Sequence, residues 1–391
     1  MMRRPILLLV VCLLALGCRA QADEARTSPL EFVTPIVEKA IAERAFPAAA
    51  VAIGTADGAL WTKGYGTFTY EDAKAITPNT SFDLASVTKV VATTTAVMQL
   101  YEAGLLDLDA PVASYVPAFA QMDKERITVR HLLTHTSGMI PFRPFHRLGV
   151  TSPEEVLAYI YADTLVYEPG TAMRYSDFNM IMVARIVEEI SGMPFSAYAQ
   201  SRIFDPLGMA NTGFRAAQTD TTVVPTEQDD YFRMRLVQGE VHDETAWILG
   251  GTAGHAGLFS TAEDLARFAL MMVRGGRVGE SQFLKSKTIA YFTKPVDPQA
   301  HTRALGWDTR SLKGYSSAGQ YFGPHSYGHT GFTGTSMWID PEAGLFTILL
   351  TNRVYPTREG RGHINVRPRV ADAAWQAVMG PSVPRYPEAR R

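Results

Sequence analysis

Strand patterns at both ends of this chain enclose a middle that reads almost entirely as helix, and this arrangement limits the fold more than any other feature. Near the amino end, Ala48 to Gly54 and Ala59 to Gly66 flank Asp57-Gly58, a hairpin signal between two strands. Near the carboxyl end, Thr335 to Ile339 and Leu345 to Thr351 are joined by the turn Pro341-Glu342-Ala343-Gly344. Between them, helical patterns run over Ser86 to Ala103, Pro153 to Tyr161, Ser176 to Ile190, Phe195 to Ile203 and Thr261 to Val273. Ser260-Thr261-Ala262-Glu263 reads as a capping box for the last of these. Two outer helices, Phe32 to Arg44 and roughly Val366 to Val378, complete the pattern. The expectation is an α/β fold: one sheet built from both termini, flanked by helices, with a large, mainly helical insertion. The sheet part falls at about 30–85 and 300–391, and the helical part at about 86–299. A hydrophobic content of 46% supplies ample material for a large core.

Ser86-Val87-Thr88-Lys89 begins one of the helices and is the only Ser-x-x-Lys in the chain. That spacing puts a hydroxyl and an amine on one helix face, one turn apart: a nucleophile with a base beside it. Backbone N–H groups at the helix start could hold an oxyanion. A lysine buried among Val90, Val91 and Ala96 would lose its proton more easily and could act as general base. On the plainer reading, Ser86 caps the helix and Lys89 points into water.

Met1 to Ala22 reads as a secretory signal, with Arg3 and Arg4 before the apolar run Ile6 to Leu16, which is too short to span a bilayer. Two endings stay open. Ala20-Gln21-Ala22 fits a small-x-small cleavage site, whereas Leu14-Ala15-Leu16-Gly17-Cys18 is similar to a bacterial lipobox with Ala15 where leucine is usual. The expectation is therefore an exported bacterial protein, periplasmic or anchored to the membrane through lipid at Cys18. Both cysteines, Cys12 and Cys18, lie in this leader, so a mature domain over 23–391 would have no disulfide and no cysteine metal site. With 37 basic and 39 acidic residues, the chain has no basic surplus that would point to nucleic acid.

Two further stretches complete the chemistry. His329-Thr330-Gly331 precedes a strand, where a basic side chain, a hydroxyl and a close backbone approach would suit a carboxylate or carbonyl on a sheet edge. Tyr175-Ser176-Asp177 opens an apolar helix just after Glu168-Pro169-Gly170. In this order, the three stretches resemble the serine β-lactamase and penicillin-binding-protein superfamily, particularly its class C-like and DD-peptidase branch. The resemblance implies a β-lactamase/transpeptidase-like fold with an antiparallel sheet, acylation of Ser86, and proton relay by Lys89 and Tyr175. It also implies a site lined by Asp177, His329, Thr330 and Gly331, an oxyanion held on the N–H groups of Ser86 and Phe332, and no need for metal or cofactor. Arg130-His131-Leu132-Leu133-Thr134-His135-Thr136-Ser137-Gly138 is similar to a stretch common in this superfamily. Val241-His242-Asp243-Glu244 and Gly254-His255-Ala256-Gly257-Leu258-Phe259-Ser260 resemble its subgroup of muropeptide amidases and low-activity penicillin-binding proteins. Two departures stand out: Asp177 replaces the usual Asn and could hold Lys89 protonated, and His329 replaces the usual Lys, making the site's charge depend on pH near neutrality.

Other readings weigh less. His131 and His135, with His242, Asp243 or His255, could ligate zinc, yet the Glu of a His-Glu-x-x-His protease is missing. Asp243-Glu244 could be a glycosidase pair, but adjacent residues do not face each other. Gly250 to Gly254 lacks the lysine of a phosphate loop, and no Gly-x-Ser-x-Gly elbow occurs. The reading is a serine hydrolase on peptidoglycan-derived substrates, of D-Ala-D-Ala carboxypeptidase or muropeptide amidase type. Its alternatives are a carboxylesterase or weak β-lactamase, and a non-hydrolytic penicillin-binding receptor of the cell wall. Pro141 to Val150 and Thr219 to Gly239 are the loops expected to shape the pocket, while the oligomeric state stays open.

Overall fold

The computed structural model describes residues 28–214 and 221–381, so the expected leader with Cys12 and Cys18 lies outside the described residues. Helix α1 (Leu30–Ala42) leads into the hairpin of β1 (Ala48–Thr55) and β2 (Leu60–Gly66). Helices α2 (Thr95–Glu102), α3 (Asp177–Ser191) and α4 (Ala262–Val273) belong to the long middle segment. Strands β3 (Asp308–Thr309), β4 (Tyr327–Thr330), β5 (Ser336–Asp340) and β6 (Leu345–Thr351) follow, and α5 (Val366–Met379) closes the chain. The strands make one antiparallel sheet in the order β3-β4-β5-β6-β1-β2. Sequence-distant strands meet at its centre, where Ala49 pairs with Thr351 and Thr55 with Leu345.

β1 is buried along its whole length because helices cover both faces of the sheet. Its period of two divides the burden: Ala49, Val51 and Ile53 pack with Val33, Val37, Val370 and Trp375 of α1 and α5. Ala48, Ala50 and Ala52 face the other way, into the larger core that holds Leu265 and Phe268 of α4. Small residues on that face let α4 approach closely.

Three sequence readings need correction. The stretch from Ser86 to Ala103 is not one regular helix: a 3₁₀ turn at Ala85–Val87 is followed by a π-helical segment at Lys89–Thr94, before α2. The cap of α4 is Thr261, whose hydroxyl accepts from Asp264 N at 3.1 Å, one residue later than the expected box. His329 and Thr330 lie within a strand of their own, and that strand is second from the edge rather than outermost. Two-residue β3 pairs only with Tyr327 and Gly328, so His329 and Thr330 have no strand partner on that side among the described residues.

Candidate active site

Ser86 sits in the 3₁₀ turn that follows β-paired Phe82-Asp83, with Ala85 at a φ of 45° just before it. A positive φ at a residue with a Cβ is strained and needs outside support. Buried Asp83 provides it, accepting from Ala85 N at 2.8 Å and from His242 N at 2.7 Å. The opening of the helix then turns Lys89 inward, where it is fully buried. Its ammonium donates to Ser86 Oγ and to the His255 carbonyl oxygen, both at 2.8 Å, and lies 2.8 Å from Asp177 Oδ1. The Tyr175 hydroxyl is in hydrogen-bond contact with both Lys89 and Ser86. Ser86, Lys89, Tyr175 and Asp177 are thus brought into one cluster.

His135 fixes the Tyr175-Ser176-Asp177 segment. Its Nδ1 accepts from Ser176 N at 3.2 Å and contacts Asn179 Nδ2 at 3.0 Å, while its ring lies 4.5 Å from that of Tyr175. Ser137 Oγ donates to Asn179 Oδ1 at 2.6 Å. The Arg130 to Gly138 stretch therefore supports the tyrosine. His131 faces another way and caps its own short helix through Nδ1. Among the described residues no group of three or more His, Cys, Asp or Glu is arranged to hold a metal ion.

Of the two sequence readings of Lys89, a lysine that sheds its proton on burial and one that Asp177 keeps charged, the structure favours the second. Burial alone would push its pKa down, but the Asp177 carboxylate and Tyr175 outweigh that and hold it above its ordinary value. Burial raises the Tyr175 phenol, with Asp177 adding to it and Lys89 opposing. The resting cluster is an ammonium, a carboxylate and a neutral phenol. His329 departs from the sequence expectation. Burial, with Arg303 and Lys89 nearby, pushes it well below the usual histidine range, so it is neutral across physiological pH. Its Nδ1 donates to Thr330 O at 2.7 Å, which leaves Nε2 as an acceptor. The site's charge does not turn on His329 near neutrality.

The residue that sequence reading missed is Arg303. Its guanidinium stands 5.1 Å from the Tyr175 ring centre and pairs with Asp308 through Nη2 at 3.8 Å, while Nε and Nη1 are buried with no hydrogen-bond partner among the described residues. It supplies a permanent cation beside His329, where the strand itself carries none. No local motif marks it, because the short bridge between Arg303 and Asp308 carries it to the sheet edge.

The end of β4 is stitched to the Ser86 turn. Thr335 Oγ1 donates to Leu84 O at 2.9 Å and Thr333 Oγ1 to Asp83 O at 2.8 Å. A Cβ at Gly331 would lie 2.4 Å from Leu84 O and 2.1 Å from Thr335 Oγ1, so only glycine permits this approach. Thr330 is partly exposed and lines a smaller depression of about 180 Å³ with Thr302 and Arg367. Phe332, half exposed, stacks on His242 at 5.7 Å. A cavity of about 720 Å³ opens at Asp177. It is lined on one side by the Phe142 to Arg147 loop and on another by Glu227, Asp230 and Tyr231, within the two loops expected to shape it. Arg358 closes a further wall, pairing with Glu244 at 2.8 Å and with Glu227.

The profile of the Beta-lactamase family matches residues 33–371. A Salmonella typhi protein, provisionally named a D-alanyl-D-alanine carboxypeptidase, is 34% identical over 308 residues, 71% of this chain and 70% of that protein. Among solved structures, EstCE1, a hydrolase with promiscuous acyltransferase activity, superposes with a TM-score of 0.73 at 25% identity, covering 89% of this chain and 98% of its own. The octameric penicillin-binding protein homologue from Pyrococcus abyssi gives a TM-score of 0.68 at 25% identity, over 90% of this chain and 78% of its own. The chain belongs to the Beta-lactamase family and is a serine hydrolase.

Proposed function

We propose that this hydrolase is an exported D-alanyl-D-alanine carboxypeptidase, with Ser86 as nucleophile, Lys89 and Tyr175 as proton relay, and the N–H groups of Ser86 and Phe332 as oxyanion donors. The observation that carries the substrate reading is Arg303. A cation with two buried, unpartnered nitrogens next to Tyr175 and His329 suits a leaving group that bears a carboxylate, as a terminal alanine does. The name of the Salmonella relative supports the same bond.

The chemistry follows from the charges. Ser86 Oγ attacks the carbonyl carbon, and its proton passes to Lys89 as that ammonium gives one of its own to Asp177, 2.8 Å away. The carbonyl oxygen becomes an oxyanion against the two N–H groups. Tyr175 then protonates the departing amine and is reprotonated through Lys89, while Asp177 returns its proton to the lysine. The acyl-enzyme is left with the cluster as it began. Neutral His329 favours a second substrate, an uncharged ester, since the strand offers no cation of its own.

The test is incubation of wild type and Ser86→Ala with purified muropeptides, read by mass spectrometry. Loss of a terminal alanine only with Ser86 intact is the expected result. Cleavage between sugar and peptide, or no change beside turnover of simple esters, would overturn the carboxypeptidase reading. Equal cleavage by Ser86→Ala would overturn the nucleophile.

A further inference from the structure

No side chain of the motifs Val241 to Glu244 and Gly254 to Ser260 takes part in the relay described above, yet the two motifs meet directly beside it. His255 Nε2 lies 2.9 Å from Asp243 Oδ1, the same oxygen that caps the following helix at Ala246 N. Burial alone would push the Asp243 carboxyl up, but its contact with His255 outweighs that, and the group is held well below the usual carboxylate range, so it is an acceptor. The Nε2 position therefore carries the ring proton, and in the neutral imidazole the remaining lone pair is on Nδ1. That atom is buried and has no hydrogen-bond partner among the described residues; the residue itself is 1% exposed. An unpaired buried nitrogen calls for an explanation. Both Asp243 and His255 line the 720 Å³ cavity with Asp177.

The pair is also fixed to the nucleophile. The His255 carbonyl oxygen accepts from Lys89, and Lys89 donates to Ser86 Oγ, so a single side chain separates His255 from the serine. Thr93 Oγ1 donates to Gly254 O at 2.6 Å, and Leu258 N donates to Thr88 Oγ1 at 3.2 Å. A Cβ at Gly254 would lie 1.9 Å from Met180 O, so the loop is seated hard against α3. A carboxylate that orients an imidazole, with the far nitrogen left unpaired, is the arrangement of a general base.

We propose that Asp243 and His255 form a second proton-transfer pair, which activates the water that releases the acyl group from Ser86. The inference rests on the acyl-enzyme reading above. Water oxygen attacks the acyl carbonyl carbon as its proton moves to His255 Nδ1, and the carbonyl π pair moves onto oxygen. When the tetrahedral adduct collapses, the bond from carbon to Ser86 Oγ breaks and Lys89 protonates Oγ. Lys89 recovers its proton from the His255 imidazolium through cavity water, and the acid product departs. Acylation and deacylation would thus use different bases, one on each side of Lys89.

The experiment follows p-nitrophenyl acetate turnover by wild type, His255→Gln and Asp243→Asn, with stopped-flow release of nitrophenolate and mass spectrometry of the Ser86 peptide. Expected for His255→Gln is a burst of one equivalent at a rate within a few-fold of wild type, followed by turnover slowed about 100-fold or more, with acetyl accumulating on Ser86. Asp243→Asn is expected to show the same split. Hydroxylamine, a nucleophile that needs no base, should free the stalled acetyl-enzyme and so exclude a folding defect. Unchanged turnover, or burst and turnover falling together, would overturn the proposal while leaving the acyl-enzyme intact. No burst in wild type together with full turnover by Ser86→Ala would overturn both.

Discussion

Lys89 has no exposed surface, and a lone buried ammonium would shed its proton. Here Asp177 prevents that, and the consequence is measurable as stability. Because the folded pKa of Lys89 is raised, its contribution is fully present below the unfolded lysine value, about 10.4, and is lost as pH rises through the folded one. With Asp177→Asn, burial dominates and the sign reverses: the variant suffers most where an ammonium is forced to stay and is relieved as pH rises. The expected deficit is about 3 kcal/mol at pH 7, at the low end for a broken buried pair because Asp177 keeps part of its surface in water. Urea unfolding at pH 7, 9 and 10.5 should show that deficit shrinking, and a constant deficit would refute the role of Asp177 in holding the proton. The replacement of Asn by Asp at 177 is visible in the sequence, as is the chance that it keeps Lys89 charged. Which of burial and pairing prevails depends on a 2.8 Å contact between residues 88 positions apart, and no local pattern encodes that. Arg303 was illegible for the same reason.

At the scale of elements, the segment from β4 to Gly331 does its work through backbone proximity. The edge of β4 is left uncovered at His329 and Thr330, and Gly331 brings the chain against Leu84 and Ala85. Gly331→Ala would drive a methyl group into Leu84 O and Thr335 Oγ1, an overpacking cost of about 1–3 kcal/mol. The strand would be pushed off the serine turn, so acyl transfer should fall by at least 100-fold while the melting point drops by only a few degrees. Loss of stability without a disproportionate loss of rate would show that the approach is structural alone. Long elements were readable: β6 spans the residues expected of it, and α1, α3 and α5 are displaced by no more than two. What escaped was the irregular backbone at Ser86. Nothing in the Lys89–Thr94 sequence marks it as π-helical, and its geometry coincides with tertiary contacts, including those of Lys89 and of Thr93 with Gly254.

Over the whole molecule, the two chain ends build the sheet and the long middle segment brings Lys89, Tyr175 and His255 to one side of it, so chemistry and stability draw on the same buried groups. Three histidines are held neutral by that burial: His135 and His329, both pushed well below the usual range, and His363, pushed down to about 3 chiefly by desolvation, with Arg367 and Arg353 adding to it. All three are nearly inaccessible to solvent, so screening does little to soften the effect. In the unfolded chain each takes up a proton below about pH 6.5, whereas the native state refuses it. The unfolded form therefore binds more protons, and stability present above pH 6.5 is lost as pH falls toward the folded values. Each group removes up to about 1.4 kcal/mol per pH unit, so the three together remove about 4. His242 runs the other way. Burial opposes its charge, but Glu227 at 2.8 Å outweighs that and raises it, so its stabilisation is complete below pH 6.5 and cannot deepen to offset the loss. The urea midpoint is expected to drop steeply between pH 6.5 and 5, before most carboxylates titrate. His363 takes no part in the proposed proton relay, so His363→Gln, which removes one of the lowered histidines, should flatten that slope. A midpoint flat across this window, or a slope unchanged in the variant, would show that these buried histidines do not set the acid limit of the fold.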